Sequence, residues 1–593
     1  MDSPFTTIAH HGSREVICAA YDKEIARALN ALLALKAKRN SAAPISILPD
    51  EILSLIFLHY DTVSKAAMKG HWVRLMLVCR RWRTICLNHA KLWSFISPGR
   101  SQDRIRRSQR VPEGPLALPI GARIQRSAQA PLTCDFHLSS NNLPEFLDVL
   151  RGNSHRIGRL HLVGYREVLD KAFSETTDFP ALEGIELEYK DPWQFEDDDQ
   201  IESRNWTLSE AFMDRNVQRL HSFRLRAVQL ADSTGFNILT NLTSLELSND
   251  EDRSTAILPS LQDVVSLVLR SPRLTSLRLT DYWSENDTEI KALNPFPPMT
   301  LSHLERLVLN GGADALTLLA KSLVIPPAAS LNFFLRGLLD GESIRKFIVP
   351  LRRILHRPGV PIIRCIDIEP ASHFHSFRVF SEDIPRYTRD HSSTLLEITF
   401  SSSTFFTASK MFVKFIHMLP IHPSSNLSLS LTKTMFNRGE RLSLATWKML
   451  WRALPQLKRV SIGLTDGMDL MLQGLIAVLE GGVKGTSGRR RRRLARTAPL
   501  TPSTLSLQPR CLSVDGEEEY NRRCFECLVE SLKRYRDMEL VGKPSGVAWD
   551  TVIYEQVSNL SGTGMLKEYW PRLKDVTKML KYEGKNAEGD GLV

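Results

Sequence analysis

One spacing of aliphatic residues recurs from about residue 155 to 465 and most constrains the fold. Two variable positions separate the first aliphatic residue from the second, and one separates the second from the third. Side chains alternate along a strand, so the last two aliphatic positions lie on one buried face. The best copies are Ile157/Leu160/Leu162, Leu182/Ile185/Leu187, Leu220/Phe223/Leu225, Leu242/Leu245/Leu247, Leu274/Leu277/Leu279 and Leu304/Leu307/Leu309, with weaker ones at Ile363/Ile366/Ile368, Leu395/Ile398/Phe400 and Leu457/Val460/Ile462.

The segments between copies have room for helices. Apolar residues recur at three and four spacing in Leu316 to Leu323, Ile344 to Leu355 and Thr446 to Leu454. A strand and a helix cannot bury their apolar faces alone, so neighbouring units must stack. The pattern resembles degenerate leucine-rich repeats and predicts an α/β fold, a curved solenoid with a strand and a helix per repeat. The alternative is an ordinary doubly wound α/β sheet, which also alternates strands with helices.

A second pattern lies upstream, between Pro44 and Ile96. It has two apolar stripes at helical spacing, one before and one after a polar interval. Its fixed positions are Leu48, Pro49, Glu51, Ile52, Leu53, Ile56 and Phe57, then Leu77, Val78, Cys79, Arg80, Trp82, Arg83 and Ile85, and finally Leu92 and Trp93. This ordered combination resembles the F-box, a short helical docking module.

The resemblance implies a partner and a role. F-box proteins, of fungal type among others, dock to the Skp-type linker subunit of a cullin-RING (SCF-type) ubiquitin ligase, and through it to the cullin and RING subunits. The interval filled by Asp61 to Gly70 is longer than usual, so we expect a longer loop there. The linker-docking residues implied are Leu48, Pro49, Glu51, Ile52, Leu53, Ile56, Phe57, Val78, Cys79, Arg80 and Trp82.

The rest of an F-box chain, often leucine-rich repeats, holds a substrate protein for ubiquitin transfer. Variable positions beside the strand leucines point away from the core. The candidate substrate contacts are therefore His161, Glu186, Arg224, Glu246 and Arg278. An alternative interpretation is a non-catalytic repeat scaffold that binds the linker without ligase function.

Composition sets the expected boundaries. Ser97 to Pro131 is rich in Ser, Pro, Gly and Arg, and the segment after Gly482 cannot build a core. We predict an N-terminal helix and lead-in (1–43), the F-box module (44–97), a linker (98–131), a repeat-like substrate-binding array (132–480), a disordered basic loop (481–512) and a C-terminal helical cap and tail (513–593).

The sequence carries no recognisable catalytic motif, such as a nucleophile elbow or a phosphate-binding glycine loop. Cys524 and Cys527 lack a second cysteine pair, and we interpret His373 and His375 as solvent-facing. We therefore predict a non-catalytic adaptor with no cofactor and no metal.

Charge and cysteine usage bear on location and partners. The net charge is +11, but much of the excess lies in the run Arg489 to Arg493 with Arg496, which is either a nuclear localisation signal or a solvated loop. Acidic clusters at Glu196 to Asp199 and Asp250 to Asp252 argue against one basic face, so nucleic-acid binding ranks third among the hypotheses. Eight scattered cysteines, no secretory signal and no membrane-length apolar run predict a protein of the cytoplasm, the nucleus or both, with no membrane partner.

Overall fold

The structure is a computed structural model of the 593-residue chain. Its described residues are 14–63, 71–97, 119–175, 178–190, 206–230, 238–249, 258–284, 295–337, 341–369, 374–382, 394–401, 405–422, 427–431, 444–454, 457–463, 504–508, 526, 529–530, 533, 551–555 and 580–583. The chain forms two compact units. Unit 1 comprises Met1–Asp198 and Ser209–Leu220, and unit 2 comprises Asp199–Leu208 and His221–Val593.

Unit 1 joins an N-terminal helical region to a parallel sheet. Its helices are α1 (Arg14–Ser41), α2 (Asp50–Val63), α3 (Arg80–Asn88), α4 (Ile120–Arg126), α5 (Leu143–Asn153), α6 (Arg166–Glu175) and α7 (Glu210–Asn216). Its strands are β1 (Phe95–Ile96), β2 (Leu132–His137), β3 (Ile157–Gly164) and β4 (Gly184–Tyr189), which pair in that order and are all parallel.

Buried aliphatic and aromatic residues hold this sheet to its helices. Leu160 and Leu162 of β3 are buried, as the repeat pattern predicts, and Phe136 of β2 contacts Phe146 of α5 with ring centroids 4.9 Å apart. The helix α5 begins with Pro144 in its first turn, where the missing N–H leaves no hydrogen bond unmade. The helix α5 thus covers one face of the sheet, while Asp135 and His161 lie on the opposite face.

Unit 2 has a longer, largely parallel sheet. Its main strands, in spatial order, are β6 (Ser222–Arg226), β8 (Ser244–Ser248), β9 (Ser276–Thr280), β11 (Arg306–Gly312), β13 (Ser330–Arg336), β16 (Thr394–Ser401), β15 (Phe374–Phe380), β14 (Cys365–Glu369), β17 (Leu427–Leu431), β18 (Leu457–Gly463), β19 (Thr504–Gln508), β20 (Thr551–Glu555) and β21 (Leu580–Glu583). Two small parallel pairs join β5 (Trp206–Leu208) to β7 (Val228–Leu230) and β10 (Met299–Thr300) to β12 (Leu323–Val324).

Helices α8 (Leu261–Leu269), α9 (Ala313–Ser322), α10 (Gly341–Leu355), α11 (Phe405–Met418) and α12 (Leu444–Ala453) connect these strands. Three of them coincide closely with the helices predicted from apolar spacing. Phe333 of β13 contacts Phe347 of α10 with ring centroids 5.3 Å apart, so the apolar side of the strand packs on the helix. The protein is therefore a mixed α/β molecule with an N-terminal helical region and parallel-rich sheets.

One stretch departs from the order expected of successive repeats. Next to β13 lies β16 rather than β14, and the antiparallel strand β15 sits between β16 and β14. The sequence of β15, FHSFRVF, does not contain the recurring aliphatic spacing. A continuous row of identical strand-helix units therefore does not describe this part of unit 2.

Several predicted features need correction or lie elsewhere. His375, expected to face solvent, is buried among Phe400 and Phe412, because alternation along β15 turns it toward α11. The predicted linker contains α4, which begins at the buried Ile120. The predicted disordered loop 481–512 contains the strand β19, formed by the alternating sequence Thr504–Gln508. The predicted helical cap contains the strands β20 and β21, and β20 (Thr551–Glu555) is rich in β-branched residues, which favour strands. Most of the interval Asp61 to Gly70 lies outside the described residues. The same is true of the whole Arg489 to Arg493 run and of Cys524 and Cys527.

Candidate docking site

The helix α2 separates a buried stripe from an exposed one. Asp50 and Glu51 occupy its first turn, where carboxylates interact favourably with the helix dipole. Leu53 and Phe57, four residues apart, are completely buried. Ile52 and Ile56, one position earlier in each turn, are 43% and 40% exposed. The buried stripe thus anchors one side of α2 in the core, while Ile52 and Ile56 remain accessible on the other side.

The helix α3 supplies the other half of this small core. The thiol of Cys79 caps α3 by accepting the backbone N–H of Trp82 at 3.5 Å, and the Trp82 ring lies 4.8 Å from that of Phe57. Cys86 is buried, and burial raises the pKa of its thiol to about 11, so it stays a neutral apolar group. The indole N–H of Trp93 donates to the Cys86 carbonyl at 2.7 Å, which satisfies its one polar atom.

Arg81 joins the two halves of the motif, although it occupies a variable position in the sequence pattern. Its guanidinium donates to the carboxylate of Asp50 at 2.8 Å and to the carbonyls of Ser46 and Leu48 at 2.7 and 2.6 Å. These bonds hold the turn before α2 against the start of α3. Spacing alone could not identify Arg81, because its role depends on contacts between distant segments.

The residues implied in docking occupy three environments. Pro49, Glu51, Ile52, Ile56, Val78 and Arg80 are exposed; Leu48, Cys79 and Trp82 are half-buried; Leu53 and Phe57 are buried. The last two belong to the core of the module rather than to its surface. Further exposed apolar side chains, which are not among the implied docking residues, adjoin them in sequence at Ile45, Ile47, Leu55, Tyr60 and Leu77.

The candidate substrate contacts of unit 1 belong to one polar row. Strand register places Asp135, His161 and Glu186 side by side on β2, β3 and β4. The imidazole Nδ1 of His161 lies 2.7 Å from Asp135, and its Nε2 lies 3.7 Å from Glu186. Burial lowers the pKa of His161, but the Asp135 hydrogen bond and the surrounding carboxylates outweigh that effect and raise it. The row therefore favours a protonated histidine.

The candidate contacts of unit 2 form a second polar row. Arg224, Glu246 and Arg278 face one another across β6, β8 and β9. Glu246 is also within 2.9 Å of Arg226, two residues further along β6, and accepts hydrogen bonds from that guanidinium. Sequence reasoning did not single out Arg226, though its place two residues after Arg224 puts it on the same strand face.

The sheet face that carries Arg224, Glu246 and Arg278 has an acidic region at β14, β15 and β16. The guanidinium of Arg378 on β15 lies 3.3 Å from Asp367, 2.8 Å from Glu369 and 2.9 Å from Glu397. Burial lowers the pKa of Arg378, but the hydrogen bond and charges of these three carboxylates outweigh it and raise that pKa. Asn332 donates a further hydrogen bond to Glu397 at 2.8 Å.

The described part of the chain bears on metal binding and on membrane insertion. It contains no group of three or more His, Cys, Asp or Glu side chains arranged to hold a metal ion. None of its helices combines the length and apolar character needed to cross a bilayer. The surface features that it does contain are the exposed apolar side chains of the helical module and the charged rows of the sheets.

Comparison with known proteins identifies the helical module. Residues 45–98 match the F-box-like family. No curated protein matches the chain. The match spans α2, α3 and β1, and it includes the buried core of Leu53, Phe57 and Trp93. F-box domains are typically non-catalytic adaptor modules that bind Skp1-type linkers, and this chain contains an F-box-like domain at residues 45–98.

Proposed function

We propose that this protein is the substrate-recognition adaptor of an SCF-type ubiquitin ligase. Its F-box-like domain docks to the Skp-type linker subunit and, through it, to the cullin and RING subunits. The polar faces of its sheets capture a target protein. The protein itself performs no catalysis.

The observation that carries the proposal is the exposure of Ile52 and Ile56 on a helix whose opposite side is anchored in a core. A small domain does not gain stability from exposed apolar side chains, and clusters of them mark interaction sites. Neighbouring Ile47 and Leu77 are 82% and 69% exposed. A partner helix or groove of apolar character would bury this set, which fits the family's linker subunit.

The buried residues of the motif dictate how the proposal is tested. Replacing Leu53 or Phe57 would damage the core and abolish binding for reasons unrelated to contact. The informative variant is Ile52→Glu/Ile56→Glu, because both side chains are exposed. A matched control is Val349→Glu/Ile362→Glu, which makes the same chemical change at exposed apolar positions of unit 2.

The measurement is a pull-down from cell extract with the intact chain and both variants, scored for linker and cullin, followed by titration with purified linker. We expect the docking variant to weaken linker binding about a hundredfold or more, because two apolar contacts of 1.5–3 kcal/mol each are lost. The control should bind like the intact chain. If the docking variant also binds normally, the proposal is wrong; if linker binds without cullin, a scaffold outside the ligase replaces it.

A further inference from the structure

The N-terminal helix α1 has large apolar side chains that remain exposed. None of its 28 residues is buried. Ile25, Leu29, Leu32 and Leu35 are between 46% and 65% exposed. Packing of an apolar face supplies most of the stability of a helix in water, and exposed apolar patches mark interaction sites. An apolar partner for α1 is therefore expected.

The spacing of these side chains indicates that the partner is another helix. Six apolar positions are separated by three, four, three, four and three residues, which is the heptad spacing of a coiled coil. We call this set the apolar seam; its members are Cys18, Tyr21, Ile25, Ala28, Leu32 and Leu35. Leu29 lies beside the apolar seam, whereas Val16 and Leu33 are exposed on other faces of α1.

Charge is distributed unevenly along α1. Residues 14–27 contain three acidic and three basic side chains, whereas residues 28–41 contain three basic ones and no acidic one. Asp22 and Lys36 flank the apolar seam on one side, and Glu24 and Lys38 flank it on the other. Each side of the apolar seam therefore has an acidic residue near its beginning and a basic residue near its end.

A second copy of α1 in antiparallel orientation complements this distribution. With a twofold axis at Asn30, Ile25 faces Leu35 of the other copy, and Ala28 faces Leu32. The same register brings Asp22 beside Lys36 and Glu24 beside Lys38, and twofold symmetry repeats every contact. Glu24 also pairs with Arg27 of its own helix, and a carboxylate with two oxygens can accept both cations.

A parallel pair does not have this complementarity. It would bring Lys36, Lys38 and Arg39 of each copy beside the same residues of the other, and these like charges repel. The charges of α1 thus favour the antiparallel orientation.

We propose that the apolar seam binds a second copy of this chain, as an antiparallel pair of α1 helices with twofold symmetry. The inference goes beyond the proposed function, because it does not involve Ile52 and Ile56. The hydroxyl of Ser46 donates to the carbonyl of Asn40 at 2.6 Å, which connects the end of α1 to the turn before α2. The two F-box-like domains would therefore lie at opposite ends of the helical pair.

The test of the apolar seam is sedimentation velocity of the full-length protein over a range of concentrations. Ile25→Glu/Leu32→Glu should weaken self-association roughly hundredfold or more, because each copy would bury two carboxylates in the apolar seam. Val16→Glu/Leu33→Glu is the matched control and should leave the dissociation constant within roughly threefold, since it adds the same charge to α1 outside the apolar seam. All four side chains are exposed, so neither variant should lower the melting temperature of the monomer.

Charge reversal tests the orientation of the pair. Asp22→Lys/Glu24→Lys should weaken self-association roughly tenfold, because it places cations beside Lys36 and Lys38 of the other copy. Adding Lys36→Glu/Lys38→Glu to that variant should restore the affinity, since opposite charges are adjacent again. In a parallel pair the first change would have little effect, because each of these residues lies near its own counterpart.

Three outcomes would overturn the inference: a monomeric intact chain at concentrations up to roughly 0.1 mM, equal weakening by both apolar variants, or unchanged self-association of Asp22→Lys/Glu24→Lys. The linker titration is run on the same samples. A monomeric intact chain whose linker binding is lost in Ile25→Glu/Leu32→Glu would show that the linker, rather than a second copy, covers α1. Lost self-association with unchanged linker affinity in that variant supports the inference.

Discussion

Gly311 of β11 lies directly against the buried indole of Trp283. A Cβ added at this position would overlap the ring, with Cη2 at 3.1 Å and Cε2 at 3.2 Å, and Cζ2 closer still. These are rigid ring atoms of a completely buried side chain, so neither can move without disturbing the core. Glycine is required here by close approach rather than by an unusual backbone angle.

Gly311→Ala should therefore destabilise the protein by about 1–3 kcal/mol, the usual cost of adding a methyl group to a filled core. Urea unfolding followed by tryptophan fluorescence measures the change. Gly152→Ala is the control, because the same added carbon meets nothing within 4 Å. Equal stability of Gly311→Ala and the intact protein would show that Trp283 can move.

At the scale of elements, Arg81 joins the two halves of the F-box-like domain. It bonds α3 to Asp50 at the start of α2 and to two carbonyls of the preceding turn. The turn contains Ile45 and Ile47, whose side chains are exposed. Arg81 therefore positions these apolar side chains without being one of them.

Arg81→Ala should lower the stability of the module by about 1–3 kcal/mol, because three charge-assisted hydrogen bonds are lost. Hydrogen exchange should accelerate at residues 46–53, and linker affinity should fall. Arg83→Ala, an exposed arginine of the same helix, is the control. Unchanged exchange in Arg81→Ala would mean that apolar packing alone holds the turn.

The sequence predicts individual elements better than their neighbours. Leu245 and Leu247 could be placed on a buried strand face because strand side chains alternate, which is a local property. The insertion of β15 between β16 and β14 could not be predicted, since pairing partners are chosen by long-range packing. The docking motif correctly located the helices, but it did not distinguish the buried Leu53 from the exposed Ile52.

At the scale of the whole molecule, two histidines make the units respond to pH in opposite directions. In unit 1, the pKa of His161 is raised above its usual 6.5. Between pH 6.5 and this raised pKa the folded form holds more protons than the unfolded form, so stability falls as pH rises. In unit 2, burial lowers the pKa of His375 to about 4. Between pH 4 and 6.5 the unfolded form holds more protons, so stability falls as pH drops.

Hydrogen exchange, corrected for its intrinsic pH dependence, should detect both effects. Protection of β2 and β3 should fall as the medium becomes alkaline, and His161→Gln should remove this response. Protection of β15 and β16 should fall by up to about 3 kcal/mol between pH 6.5 and 4, and His375→Leu should remove that response. The exposed His303→Gln is the control for both. If the protection of β3 and β15 changed in the same direction with pH, the attribution of these responses to His161 and His375 would be wrong.

The two-residue strand β1 determines how a docked partner would be oriented. Ser94 accepts the N–H of Thr133 at 2.9 Å, Ser97 accepts Arg123 at 3.0 Å, and Arg126 lies over the Trp93 ring at 5.0 Å. A flexible tether would fix only how far a captured protein can reach, and its effective concentration would decline with tether length. These contacts instead fix the orientation of β2 and β3 relative to the F-box-like domain. Rotating the docked domain would therefore rotate β2 and β3 through the same angle.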